Sequence, residues 1–425
     1  MSRTAGERLA VDGGTPVRTE PLLPGYPGGL LIGAEEKAAV MEVLDSQSLF
    51  RHYGPKPLGK VVEFEHAFAR AVGARHAVGV TSGTAALMTA LAALGAGPGD
   101  EVIVPTYTWI ATINAVVILG AVPVFVDVDE SLNMDPRAID ATITPATKVV
   151  LPVHMRGAGA DMAPIMETAR RHKLRVVEDT AQAVGGRYKG ARLGTFGDLG
   201  AFSLQYHKVI TTGEGGVVVT NDAGLYDRAV RFHDQGSARI QELDETLPSG
   251  NPLMIGLNFR MSEITGAIGL VQLGRMDGIV ERMQAHKRAI LDGLTGVPGL
   301  TPRPLPDAGG DTGATLMFFL PSAEQTRSFS AALNGEGIRN TVAWDSGQHV
   351  YYHFDQIIER RMFAERHCSW ECPHYRGRAR LEKGMFPRSD DLLKRAIHID
   401  LHPLLTERDE ADIVRAIRKV SHALS

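Results

Sequence analysis

The chain has 425 residues, of which 44% are hydrophobic and 22% are charged, and its formal net charge is −4. This is the composition of a globular protein with a large core, and its slightly acidic balance argues against a nucleic-acid partner. The length suits one large domain with a smaller one beside it.

The N-terminal residues 1–30 are rich in Gly and Pro, which predicts an extended arm. They lack the apolar stretch of a secretory signal peptide, and no later run is apolar enough to span a bilayer. We therefore expect a cytoplasmic protein with no membrane partner. Residues 34–44 and 61–72 have the apolar spacing of helices and open a predicted large domain, residues 31–285.

Short apolar strands then alternate with helices. The strands are predicted at residues 76–80, 101–105, 121–128, 148–154, 174–179, 199–204 and 215–220. The helices between them are predicted at residues 84–94, 109–119 and 162–172. This alternation is typical of the α/β class, with a parallel sheet covered on both faces by helices. Since the last two strands follow each other without a helix, we expect a mixed, mostly parallel sheet.

The remaining residues, 286–425, predict a smaller C-terminal domain of the α+β class. A long helix beginning near Val280 leads out of the large domain, and a Pro-rich loop follows at 301–311. Beyond this loop we predict a strand at 314–321 and helices at 323–334 and 410–420.

The segment Ser82-Gly83-Thr84 lies between a predicted strand and a predicted helix. Unpaired N–H groups at a helix N-terminus, together with the helix dipole, bind phosphate. Taken alone, the segment would more often be a simple helix cap, since Ser and Thr are favoured residues there. Its position within a strand–helix–strand unit, upstream of the other candidate residues, makes phosphate binding a stronger alternative.

Asp179 ends an apolar strand, and Gln182 follows three residues later. Sheets of the α/β class bind ligands at the carboxyl ends of their strands, although an isolated Asp there would more often cap a helix. Trp109 also follows a strand, so its ring could stack on a flat ligand or pack in the core.

Lys208 lies in the segment S-L-Q-Y-H-K-V-I-T-T-G-E-G-G, residues 203–216. Most lysines are simply exposed, but this one follows an apolar strand and precedes a glycine-rich turn. Burial would lower its pKa and make the amine a nucleophile. A lysine, a phosphate-binding turn and a strand-end carboxylate are together what pyridoxal 5′-phosphate (PLP) requires of a protein.

The chain contains two cysteines, Cys368 and Cys372, too few for a disulfide framework. They stand in H-C-S-W-E-C-P-H, residues 367–374, where the flanking histidines raise the possibility of zinc. Since no second ligand pair stands at zinc-finger spacing, we predict no metal site.

Several blocks of the sequence resemble, in order, the DegT/DnrJ/EryC1/StrS family of PLP-dependent sugar aminotransferases, which have the type I aminotransferase fold. The blocks begin with L-A-V-D-G-G-T-P-V-R in the arm and S-G-T-A-A-L after the first strand. They continue through V-P-T-Y-T-W-I-A-T-I-N-A-V, E-D-T-A-Q-A-V-G-G and the Lys208 segment to G-L-N-F-R-M-S-E-I-T-G. The resemblance thus runs across most of the chain.

The resemblance implies a role for each of eight residues. Lys208 would bond covalently to the cofactor and carry a proton, and Asp179 would bond to the pyridine nitrogen. Gln182 would lie near the phenolic oxygen of the ring, and Trp109 would stack on it. The phosphate would be held by Gly83, Thr84 and Ser203 of the same chain and by Asn258 of a neighbouring subunit, which implies a homodimer with shared active sites.

The implied reaction is transfer of nitrogen from L-glutamine or L-glutamate to a keto-sugar or keto-cyclitol. The arm and residues 345–356 resemble members that serve amino-sugar or aminoglycoside-type antibiotic pathways. Arg156 departs from the pattern, because an aromatic residue is common at its place in V-H-x-x-G, and the pocket could therefore accept an anionic or more polar group.

Two other functions compete with aminotransfer. One branch of the family has histidine in place of the lysine and dehydrates sugars, and His207 directly precedes Lys208. The spacing to T-T-G-E-G-G puts Lys208 at the lysine position, which favours aminotransfer. A non-catalytic PLP-fold sensor would usually carry an added DNA-binding or partner domain, and the sequence shows none.

Overall fold

A seven-stranded sheet forms the centre of this computed structural model, which describes residues 8–236, 253–364 and 368–424. Its strands are β1 (His76–Val80), β2 (Glu101–Pro105), β3 (Val122–Val126), β4 (Thr147–Val150), β5 (Arg175–Asp179), β8 (Leu199–Ser203) and β9 (Gly216–Thr220). Between β5 and β8 the chain forms a separate hairpin of β6 (Arg187–Tyr188) and β7 (Ala191–Arg192). The spatial order is β1-β9-β8-β5-β4-β2-β3, and only β9 runs against the other six strands. The predicted mixed, mostly parallel sheet is confirmed.

Helices cover both faces of this sheet. They are α1 (Ala34–Ser46), α2 (Lys60–Val72), α3 (Gly83–Ala93), α4 (Ile110–Ile118), α5 (Pro136–Ile139), α6 (Met162–His172), α7 (Ala223–His233) and α8 (Glu263–Gly293). Because successive side chains of a strand point to opposite faces, Val102 and Val104 of β2 belong to one buried cluster and Ile103 to another. Such double burial explains why the strands read as continuous apolar runs.

The helix predicted to begin near Val280 in fact begins at Glu263. Its first half contains four glycines, whose low helix propensity kept the sequence pattern from predicting a helix there. Two of them allow α8 to pack closely on α2, since a Cβ at Gly266 would lie 2.8 Å from Val61 and one at Gly269 would lie 2.9 Å from the Phe64 ring. Tertiary packing therefore overrides the local preference.

A second, antiparallel sheet forms the C-terminal part, in the order β10-β11-β13-β12. Its strands are β10 (Thr301–Pro302), β11 (Thr315–Phe319), β12 (Thr341–Val342) and β13 (Ala396–Asp400). The accompanying helices are α9 (Ala323–Gly335), α10 (Asp355–Ile358), α11 (Pro387–Arg395) and α12 (Glu407–Leu424). The predicted α+β character of this part is confirmed, whereas the domain boundary at 285, which falls inside α8, stays a prediction.

The arm is fastened to the C-terminal part by the buried carboxylate of Glu336. This group accepts hydrogen bonds from the Ala10 N–H at 2.9 Å and the Val17 N–H at 3.0 Å. Lys419 Nζ donates to it at 2.8 Å. Farther along, the Gly28 N–H donates to the carbonyl of Lys208 at 3.2 Å. The arm therefore runs from the C-terminal part of the chain to the lysine that the sequence singles out. Among the described helices, none is long and apolar enough to cross a membrane.

Candidate active site

A cavity of about 450 Å³, here called the inner cavity, lies at the carboxyl ends of β5 and β8. Seven of the eight predicted site residues line it: Gly83, Thr84, Trp109, Asp179, Gln182, Ser203 and Lys208. These residues come from distant parts of the sequence, and the parallel strands bring their ends to one edge of the sheet. The sheet thus gathers the lysine, the strand-end acid and the helix N-terminus around one space.

The N-terminus of α3 forms one end of the inner cavity. Ser82 caps this helix, since its Oγ accepts a hydrogen bond from the Ala85 N–H at 3.0 Å. A Cβ at Gly83 would lie 2.7 Å from the Cβ of Ser203, so only glycine lets the helix approach β8 this closely. The remaining first-turn N–H groups, with the Thr84 and Ser203 hydroxyls beside them, suit an anion such as phosphate.

Asp179 is buried at the end of β5. Thr112 Oγ1 donates to its Oδ2 at 2.8 Å, and the Ala181 N–H donates to its Oδ1 at 3.1 Å. Burial nevertheless raises the pKa of this carboxyl above its usual range. A buried carboxylate in this state favours a cationic partner, and the protonated ring nitrogen of PLP is such a partner.

Lys208 lies in the turn between β8 and β9, with its side chain largely buried. Burial lowers the pKa of its amine, and Arg156 lowers it further, whereas Asp179 and Glu214 act in the opposite direction. The backbone is fixed on both sides, by its own N–H bonded to the Gln205 carbonyl at 2.9 Å and by the arm. The residues present thus fit PLP: a fixed amine of lowered pKa, an acid for the ring and a cradle for the phosphate.

Trp109 is 46% exposed and is therefore not a core residue. It precedes α4, and its ring lies 4.8 Å from that of His349, centroid to centroid. One face of the indole can thus meet a flat ligand in the inner cavity.

Thr112 and His349 are among the residues of the inner cavity that sequence reasoning missed. Thr112 stands one turn beyond Trp109, and the helical spacing could have revealed it. His349 reaches the cavity from the C-terminal part, because its carbonyl accepts from the Thr108 N–H at 2.9 Å. Nothing in the sequence around His349 marks this long-range contact.

A neighbouring cavity of about 310 Å³, here called the outer cavity, adjoins the inner one. Both are lined by Ala181, Gln182, His207, Lys208 and His349. The outer cavity is bounded in addition by arm residues 25–27, by Arg156 and by Asp400. His207 stacks on Tyr26 there, with ring centroids 4.5 Å apart, and burial and Lys208 lower its pKa.

Asn258, the eighth predicted residue, is exposed and lies outside the inner cavity. It pairs with Asp234 in an antiparallel bridge. Its assigned role concerns a neighbouring subunit and stays a prediction.

The two cysteines lie close together, with the Sγ of Cys368 2.7 Å from that of Cys372. Of the flanking histidines, His367 falls outside the described residues. Across the described part of the chain, no group of three or more His, Cys, Asp or Glu side chains is placed to hold a metal ion.

Comparisons with known proteins point to one family. A model described as the DegT/DnrJ/EryC1/StrS aminotransferase family matches residues 31–362. The L-glutamine:2-deoxy-scyllo-inosose aminotransferase of Micromonospora echinospora is 37% identical over an alignment of 432 residues, gaps included, which covers 97% of this chain and 97% of that protein. The GDP-perosamine synthase of Caulobacter vibrioides is 46% identical over 231 residues, which cover 54% of this chain and only 60% of that protein. An X-ray structure of an aminotransferase from Psychrobacter cryohalolentis is 31% identical and matches 92% of this chain and 98% of that chain with a TM-score of 0.78.

Proposed function

The chain belongs to the DegT/DnrJ/EryC1/StrS aminotransferase family, a family of PLP-dependent aminotransferases, and we propose that it aminates a ketone of a sugar or cyclitol with nitrogen from L-glutamine or L-glutamate. The observation that carries the proposal is the inner cavity, where Lys208, Asp179 and the N-terminus of α3 face one space. A route to amino sugars or aminoglycoside-type antibiotics is the corresponding metabolic setting.

PLP, when bound, supplies an aldehyde that takes up the amino nitrogen and a protonated ring that withdraws electrons from the substrate carbon. In the proposal Asp179 accepts a hydrogen bond from the ring nitrogen and keeps it protonated, because a buried carboxylate stabilises a cation beside it. Gly83, Thr84 and Ser203 hold the phosphate, and Gln182 lies beside the phenolic oxygen. Trp109 covers one face of the ring.

Lys208 is proposed as the residue that bonds to the cofactor and that moves a proton at the substrate carbon. Its buried amine has a lowered pKa, so a larger share of it is neutral and nucleophilic near pH 7 than of an exposed lysine. Once displaced from the cofactor, the same amine remains within the inner cavity and can accept and return the proton.

The sugar or cyclitol acceptor is supported by the relatives. The Micromonospora protein is named for a glutamine donor and an inosose acceptor and aligns along nearly the whole chain. The Caulobacter protein is named for perosamine, an amino sugar, and aligns over a shorter region. The two names concern different compounds, so we propose the function at the level of a sugar or cyclitol ketone.

Dehydration by the His207 route is the less favoured alternative. His207 stacks on Tyr26 at the boundary of the two cavities, whereas Lys208 is buried and interacts electrostatically with Asp179. A lysine amine at this position would be able to form the covalent bond to the cofactor that aminotransfer requires.

We also propose a homodimer in which Asn258 reaches the phosphate site of the partner subunit. Its exposure supports this role, as do the exposed apolar side chains of Leu253 and Ile255 close by in the chain. Sedimentation velocity of the purified protein tests the assembly, and a monomer with full activity would contradict the role given to Asn258.

The direct test of the function is a titration of the purified holoprotein with L-glutamine, L-glutamate and L-alanine, one at a time. We expect one of the first two to convert the visible band of the lysine-bound cofactor to the band of its aminated form. Addition of 2-deoxy-scyllo-inosose or a nucleotide-linked keto-sugar should then restore the first band. A cofactor band that no amino acid changes would refute aminotransfer, and the absence of any band would refute the cofactor assignment.

A further inference from the structure

The outer cavity contains a cation that the proposed reaction does not yet use, the guanidinium of Arg156. Its side chain is only 15% exposed. Within the described part of the chain its one side-chain hydrogen bond runs from Nε to the Tyr107 hydroxyl, at 3.4 Å. Since guanidinium has five N–H donors, most of them point to no protein acceptor.

The charge of Arg156 is also poorly balanced. Among the described ion pairs its one partner is Asp400, whose Oδ1 lies 3.6 Å from Nη1 and whose side chain is 48% exposed. An exposed carboxylate at this distance is a weak partner. The guanidinium therefore lacks the close, paired carboxylate that a buried arginine usually has.

The other titratable groups around Arg156 do not supply an anion. His349 and His398 face it, and burial together with Arg156 lowers the pKa of His349 to about 4 and that of His398 well below its usual value. Both imidazoles are therefore neutral near pH 7. Lys208 adds a further positive group in its charged form.

The backbone holds Arg156 in this place. The residue has φ 56° and ψ 42°, a left-handed conformation that costs a non-glycine residue about 1 kcal/mol. Its N–H donates to Gln182 Oε1 at 3.2 Å, which ties the turn after β4 to a predicted cofactor-binding residue. A strained turn fixed to the site is characteristic of a positioned functional side chain.

We propose that Arg156 binds a carboxylate or other anionic group of a substrate in the outer cavity, through the paired N–H groups of its guanidinium. This inference rests on the proposed aminotransferase function and specifies its substrates. The anion has two possible sources: the α-carboxylate of the amino donor, which every donor carries, or an acidic group on the acceptor.

The test uses holoenzyme of the wild type, Arg156→Gln and Arg156→Lys, with Arg282→Gln on the exposed side of α8 as the matched control. The rate of the donor half-reaction is followed by the cofactor band with two probes, L-glutamate and L-isoglutamine. These differ only in that isoglutamine has an amide in place of the α-carboxylate. Inhibition of the same half-reaction by inorganic phosphate is measured in parallel as a probe for an acceptor anion.

If the donor is the source, Arg156→Gln raises the half-saturating concentration of L-glutamate on the order of 10- to 100-fold and leaves that of L-isoglutamine unchanged. If the acceptor is the source, L-glutamate saturation stays as in the wild type, but inhibition by phosphate is weakened to a similar degree. Arg156→Lys should lie between wild type and Arg156→Gln, because it keeps the charge and loses the paired donors.

The inference is overturned if Arg156→Gln matches Arg282→Gln within about twofold in both L-glutamate saturation and phosphate inhibition. The proposed function fails differently, because in that case the wild type itself shows no cofactor band, or its band responds to neither L-glutamine nor L-glutamate.

Discussion

The inner and outer cavities share a wall at Lys208 but are built in different ways. The inner cavity is formed mainly by strand ends and helix N-termini of one sheet, such as Asp179 after β5 and Gly83 at the start of α3. Besides the wall that it shares with the inner cavity, the outer cavity is lined by the arm, the turn at Arg156 and residues at the start of β11 and the end of β13. The first suits a fixed cofactor, whereas the second can vary its substrate contacts without changing the sheet.

The largest effect short of removing the lysine is expected from Asp179→Asn, which acts on the inner cavity alone. The amide cannot stabilise a protonated ring nitrogen, so the donor half-reaction should slow on the order of 100-fold, while donor saturation changes little. Stopped-flow measurement of the cofactor band checks this, with Asp45→Asn on the exposed side of α1 as the control. Wild-type rates in Asp179→Asn would remove this residue from the site.

The next effect comes from Glu336→Ala, which releases the arm and so acts on the outer cavity. The substitution removes the ion-pair partner of the buried Lys419 amine, which keeps only its bond to the Thr15 carbonyl, and leaves two arm N–H groups unbonded, so the free energy of unfolding should fall by about 3 kcal/mol. Urea denaturation measures this change. The half-saturating concentration of the donor should rise, since residues 25–27 line the outer cavity. The affinity for the cofactor should stay as in the wild type.

Glu324→Ala, at an exposed position of α9, the helix that ends just before Glu336, is the control for this variant. If Glu336→Ala weakened cofactor binding and donor binding equally, the arm would not act on the outer cavity alone.

The smallest effect is a pH dependence due to His349. Its folded pKa of about 4 lies below the ordinary histidine value, so the folded chain binds fewer protons there than the unfolded chain. The stability that this residue contributes is complete above about pH 6.5 and is lost as the pH falls toward 4. The unfolding free energy should therefore fall less between pH 7 and pH 4.5 in His349→Gln than in the wild type, by on the order of 1–2 kcal/mol.

Urea titrations at the two pH values check this, with His422→Gln on exposed α12 as the control. An unchanged decline in His349→Gln would show that protonation of His349 does not destabilise the fold.

The same contrast explains what could be predicted from the sequence. Asp179, Gly83 and Lys208 stand at the end of an apolar strand or within five residues of one, and parallel strands bring such neighbours to one edge. The outer cavity depends on contacts such as that of the His349 carbonyl with the Thr108 N–H, for which no local pattern exists. The early start of α8 was missed because close packing of Gly266 and Gly269, invisible in the sequence, decides it.

Arg156 shows both what the sequence can indicate about a site residue and what only the folded chain reveals. Its departure from the family pattern was visible in the sequence and indicated a pocket for a polar or anionic group. Its left-handed backbone, its bond to Gln182 and its distance from Asp400 became clear only in the folded chain. The residue type thus indicated the chemistry, and the fold specified the place.

The most direct test of the account is to locate the cofactor on the chain. Holoprotein is reduced with borohydride, digested and mapped by mass spectrometry, beside a Lys208→Ala variant treated in the same way. We predict that the cofactor mass lies on the peptide containing Lys208 and is absent from the variant, which should also have no measurable turnover. Cofactor on another lysine, or a Lys208→Ala variant with wild-type turnover, would contradict the central claim.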